Sequence, residues 1–175
     1  MGLGQTLLTI MALMLLGRLI LTVNRTVLET GSTKDVAEYR ITATSLGTSL
    51  MESAHDLAFD EATVDTFLTS SQTASLTAAS SFGMDAGDTG FDDIDDVHNY
   101  IRIDTIPNSA IFFTTAKVKF ISVTPPATFT ITTTPTFNKL ITVYVTSPYM
   151  MNYSLDVPTQ DTLIFQSIFS YWYFR

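Results

Sequence analysis

The chain has 175 residues, enough for one globular domain with its own core and one extended element. It is 46% hydrophobic and 15% charged, with mean hydropathy +0.26, so part of its apolar surface is expected to be covered by lipid or by a sister subunit. A net charge of -8, with nine Lys and Arg spread over the chain, argues against a nucleic-acid partner, and the lack of cysteine excludes disulfides, thiolate metal sites and cysteine nucleophiles.

The first element is the run from Leu7 to Val23, LLTIMALMLLGRLILTV, whose apolar side chains are interrupted only by Thr9, Gly17, Arg18 and Thr22. As a helix, about 17 residues reach roughly 25 Å, close to the hydrocarbon thickness of a bilayer. No basic residue precedes Arg18 and no small-residue cleavage pattern follows, so the segment is expected to stay in the working protein.

Beyond Arg25 the pattern turns amphipathic. Tyr39, Ala43, Leu46, Leu50, Ala54 and Leu57 recur at four- and three-residue spacing, which predicts a helix with one apolar stripe. Gly31, with Ser32 and Thr33 after it, predicts a kink or short break. A largely helical stretch from 3 to 57 would be on the order of 80 Å long.

Residues 66–81 carry many hydroxyls and little charge and are expected to connect helix and sheet, as a surface loop or as a glycosylated or subunit-contacting one. Asp85, Asp88, Asp92, Asp93, Asp95 and Asp96 then crowd into twelve residues. Two readings fit: a Ca2+ loop, in which the cation relieves carboxylate repulsion, or a solvated acidic loop whose Asp side chains cap turns.

The C-terminal half has the period and composition of strands. Residues 110–124 alternate around Lys117 and Lys119, with Val118 and Phe120 on one face. Thr128 to Thr134 and Leu140 to Thr146 follow, with Pro125-Pro126, Pro135 and Ser147-Pro148 as breaks. The last segment, Thr162 to Phe174, is apolar on both faces, which predicts a central strand or one pressed between sheet and helix. The expected fold class is α+β: a long N-terminal helix, apolar in its first half and amphipathic in its second, packed on a C-terminal antiparallel sheet. The expected organisation is helix over 1–57, connection over 58–99 and sheet domain over 100–175.

Two stretches carry a resemblance. The start, Met1-Gly-Leu-Gly-Gln5-Thr-Leu-Leu-Thr-Ile, with its amphipathic extension, resembles the processed N-terminus of type IV pilins and pseudopilins, with Gln5 where that family has Glu. Phe91-Asp-Asp-Ile-Asp-Asp-Val-His-Asn-Tyr100 looks like the acidic stretch that precedes the first long strand in several pilin-like proteins. The resemblance implies a structural subunit of an extracellular, cell-surface filament, a helical homopolymer anchored in the inner membrane before assembly. It also implies a prepilin peptidase and a pilus assembly machinery as partners. The subunit interface would be formed by Gln5, Leu7, Leu8, Ile10, Met11, Met14, Leu15, Arg18, Leu19, Leu21 and Val23. Arg18 would bond a neighbour's freed carbonyls or carboxylate, or reach the edge of the apolar layer. The competing readings are a minor pseudopilin of a secretion machine and a monomeric, membrane-anchored, calcium-dependent adhesive domain.

No phosphate loop, nucleophile elbow or zinc-protease motif occurs, and His55 and His98 read as structural, so no enzymatic activity is expected. The aromatic end, Phe165, Phe169, Tyr171, Trp172, Tyr173 and Phe174, reads as core and interface packing ahead of a sugar-stacking surface.

Overall fold

The computed structural model describes residues 2–85, 89–107, 109–124, 128–152 and 159–173. The chain forms two units, divided between Glu38 and Tyr39.

The first unit is helical from Leu3, as part of α1 (Leu3–His55). The helix does not break at Gly31, contrary to the sequence expectation. Hydroxyl side chains that could have capped a new helix fold back instead: Ser32 Oγ and Thr33 Oγ1 both donate to the Glu29 carbonyl, at 3.0 and 2.8 Å. This back-bonding satisfies the two hydroxyls within the helix, at a slight cost to the helix itself. Every residue from Gly2 to Asp35 is exposed, including Leu7, Leu15 and Leu21.

In the second unit, α1 continues from Tyr39 and presents a buried stripe of Ala43, Gly47, Leu50 and Ala54; Ala43, Leu50 and Ala54 belong to the stripe anticipated from sequence, Tyr39 and Leu46 of that stripe are half-buried, and Leu57 lies past the helix end. The stripe packs on an antiparallel five-stranded sheet, which makes the fold α+β. The strands are β1 (Ile101–Thr105), β2 (Ile111–Thr124), β3 (Thr128–Thr132), β4 (Asn138–Asn152) and β5 (Thr159–Ser170). The order is β1-β2-β4-β5, with β3 paired to the far end of β2. Register puts Phe112, Thr114, Ala116, Val118 and Phe120 of β2 on one face with Lys139, Ile141, Val143 and Val145 of β4. All nine are buried.

Gly47 marks the closest approach of helix and sheet. A Cβ there would lie 2.3 Å from the Phe165 ring of β5, so only glycine lets the aromatic ring seat against the helix backbone. Tyr39 meets Tyr149 and His55 meets Phe169, with ring centroids 5.9 and 4.3 Å apart, and Arg40 pairs with Asp161. β5 is therefore pressed on the helix, as one of the two expectations had it, but it ends the strand order and is not central.

Two further boundaries differ from the sequence reading. β4 does not turn at Ser147-Pro148; it runs to Asn152 with a register irregularity between Thr146 and Met151. Proline is tolerated there because the irregularity spares it a ladder hydrogen bond. Residues 66–81 are not a bare surface loop: Leu68 and Leu76 are buried, and the Leu68 amide donates to Tyr171 Oη at 2.9 Å. Phe174 lies outside the described residues.

Candidate functional site

Just past the end of α1, backbone bonds tie residue 58 to the acidic stretch. The Ala58 amide donates to the Asp92 carbonyl and the Ile94 amide to the Ala58 carbonyl, each at 2.9 Å. Two residues on, Asp60 caps the short helix α2 (Glu61–Val64) in a reciprocal box with Thr63. The Asp60 carboxylate also accepts from the Thr77 amide at 3.0 Å and from Thr77 Oγ1 at 3.2 Å, so it is fixed by two segments.

Into this corner β4 sends Lys139, which is fully buried. Its Nζ donates to the Phe59 carbonyl at 2.7 Å, to Asp60 Oδ2 at 2.8 Å and to Asp95 Oδ1 at 2.6 Å. The rings of Phe59, Phe82 and Phe120 close around it, with centroids 4.7, 5.1 and 5.4 Å from Nζ. A buried ammonium is tolerable only when each proton finds an acceptor, and here three acceptors meet three protons.

The acidic stretch is thus largely interior. Asp93, Asp95 and Asp96 are buried, which overturns the solvated-loop reading for these three. Asp95 opens a 3-10 turn (Asp95–Val97); Ile94 just before it and Val97 at its end fill the core. Asp93 Oδ1 accepts from the Asp96 amide at 3.1 Å, and Asp96 Oδ2 accepts from the Asp92 amide at 3.2 Å. Burial, then the charge of Asp95 beside it, pushes the Asp93 carboxyl up to about 8, so it carries a proton at neutral pH. Burial also raises Asp96.

The rest of the stretch is equally structural. Phe91 meets Tyr100 edge to face at 5.0 Å. His98 Nδ1 accepts from the Val118 amide at 3.0 Å, on the edge of β2 between the pairings with β1 and β3. Asn99 adopts φ of 61°, a left-handed conformation that Asn and Gly tolerate best.

The five described aspartates do not converge on one point. Asp95 is spent on Lys139, Asp88 lies outside the described residues, and Asp85 is exposed. Among the described residues, Glu61, Asp92 and Asp93 form a group of three whose ligand atoms all lie within 4.8 Å of one another. A cation there would first have to displace the Asp93 proton.

Sequence reasoning missed Lys139 and Asp60. Both left signals: Lys139 has the same parity as Ile141, Val143 and Val145, which places it on the inner face, and Asp60 stands three residues before Thr63 as a cap does.

The second candidate surface is the helix of the first unit. Gln5, Leu7, Leu8, Ile10, Met11, Met14, Leu15, Arg18, Leu19, Leu21 and Val23 are all exposed. This stretch is long and apolar enough to cross a membrane, and nothing within the described chain covers it. Thr22 Oγ1 bonds the Arg18 carbonyl at 2.9 Å, while no side-chain partner of the Arg18 guanidinium occurs among the described residues.

Comparison with protein families, with curated proteins and with solved structures gives no match. The chain is accordingly placed by its own architecture: a long apolar N-terminal helix joined to an antiparallel sheet, an arrangement compatible with a pilin-like fold.

Proposed function

We propose that this chain is the structural subunit of an extracellular, type IV pilin-like filament that polymerises through its N-terminal helix. One observation carries the reading: the helix from Leu3 to Leu28 exposes large apolar side chains all round, and the chain buries none of them. A helix apolar on every side needs surroundings that are apolar on every side, which lipid or packed sister helices provide. At about 25 cal/mol per Å2 of apolar area, stacking such helices would hold a fibre without covalent links between subunits. Head-to-tail contacts of this kind do not close on themselves, so they propagate.

In this reading the subunit waits in the inner membrane on its helix, is processed and extracted by peptidase and assembly machinery, and is added to the fibre base. Arg18 bonds a neighbouring helix where Gly17 leaves backbone approachable; a Cβ at Gly17 would meet nothing within 4 Å of its own chain. The sheet unit faces water. The same exposed helix also fits a single-span anchor for a monomeric surface domain. Electron microscopy of sheared surface material separates the two: fibres containing this chain support the proposal, and a detergent-dependent monomer with no fibres overturns it.

A further inference from the structure

The Lys139 pocket has the parts needed for a covalent bond. An ammonium and a carboxylate 2.6 Å apart, Nζ to Oδ1, are within reach of direct acylation, and neither is exposed to water. Both are positioned by structure on either side: Lys139 by the β4 ladder against Phe120 and Phe169, Asp95 by its 3-10 turn. Held reactants of this kind react as if at very high concentration, because the entropy of bringing them together was spent in folding. The walls are Phe59, Phe82 and Phe120, and an apolar wall favours neutral products over a buried ion pair.

We propose that Lys139 and Asp95 condense into an intramolecular amide, Nζ bonded to Cγ, with Asp60 and Asp93 as the base and acid that move the protons. Asp60 Oδ2, 2.8 Å from Nζ, takes a proton from the ammonium and frees its lone pair. The amine attacks Cγ of Asp95, the Nζ–Cγ bond forms, and the Asp93 carboxyl protonates the Asp95 oxygen as the Cγ–O bond breaks. Two ammonium protons leave with that oxygen as one water molecule, Asp60 and Asp93 return to their starting states, and no oxidant or cofactor is consumed. The residual amide N–H remains directed at Asp60, which keeps its bonds to Thr77. Raised by burial, Asp93 holds at neutral pH the proton this role needs.

The bond would cross-link the segment after α1 to β4, residues 44 apart in sequence, inside the unit that faces water. It does not depend on whether the chain polymerises, so its test is separate from the microscopy of fibres.

The test is the mass of the folded, full-length chain, denatured before measurement, with the N-terminus assigned by peptide mapping. The expected result is a chain lighter by one water molecule, and a tryptic product in which the peptide spanning 41–102 is joined to the one holding Lys139. Lys139→Arg should restore the full mass, Asp95→Asn should still link but with loss of ammonia, and Asp93→Asn should leave the link largely unformed. Full mass in the folded wild-type chain after prolonged incubation overturns the proposal, whatever the variants do. A link mapped by tandem mass spectrometry to Asp60 overturns the assignment of Asp95 as acyl donor.

Discussion

Lys139 Nζ and Asp95 Oδ1 lie 2.6 Å apart in the interior, joining an inward position of β4 to the acidic stretch before β1. With Asp60 on the other side, this contact fixes the end of α1, the acidic stretch and the sheet at one point. Removing the cation leaves two buried carboxylates facing each other. Lys139→Ala should therefore cost roughly 3–5 kcal/mol. Chemical denaturation of the full chain in detergent measures this, and a loss below about 1 kcal/mol, the range of an exposed pair, would contradict the account.

Asp93 gives a pH dependence of definite sign. Its carboxyl is raised to about 8 in the folded chain, from 3.8, so the folded state binds the proton more tightly than the unfolded one. The resulting stabilisation is complete below about 4 and is lost as pH rises through about 8. Burial is the first cause and does not depend on the charge of Asp95. Asp93→Asn, which imitates the protonated acid, should flatten the fall in melting temperature between pH 6 and 9; an unchanged slope would place the titrating group elsewhere.

His98 runs the opposite way. Burial, the first cause, with Lys117 and Lys119 nearby, lowers it from 6.5, and the Nδ1 that accepts from the Val118 amide must be unprotonated to do so. Its contribution is complete above 6.5 and is lost as pH falls below that value. His98→Ala should remove the melting-temperature decline just below 6.5 that belongs to this group. Exchange of the Val118 amide, followed by NMR, should quicken in the same window.

Two glycines of α1 should respond oppositely to alanine. At Gly47 a Cβ would overlap the Phe165 ring, so Gly47→Ala should destabilise by about 1–3 kcal/mol through overpacking. At Gly31 nothing lies within 4 Å, and Gly31→Ala should raise helix stability by about 1 kcal/mol. Thermal unfolding of the two variants in parallel checks the pair.

How much was legible depended on whether a feature was periodic. The helix stripe from Ala43 to Ala54 and the alternation of β2 follow from local spacing, and both were recovered. The helix runs unbroken through Gly31, where the hydroxyls of Ser32 and Thr33 bond back to Glu29 and do not cap a new helix, which a local turn signal cannot foresee. β1 went unread although Ile101-Arg102-Ile103-Asp104 alternates, because it is only five residues long and its alternation is inverted, with the Ile side chains exposed and Arg102 and Asp104 half-buried and paired with each other. The acidic stretch was recognised as dense in carboxylates, yet its purpose lay 44 residues away in Lys139, a contact that only the folded sheet creates. That a Lys shares the parity of an apolar strand face was the available clue, and it points to a buried carboxylate partner.

The central claim is that copies of this chain cover the apolar helix from Leu7 to Val23. A reconstruction of the native assembly by electron cryomicroscopy tests it most directly. The account predicts helices of neighbouring subunits packed against Leu8, Met11, Leu15 and Leu19, with Arg18 bonded to one of them; lipid alone around these side chains, with no sister chain in contact, would contradict it.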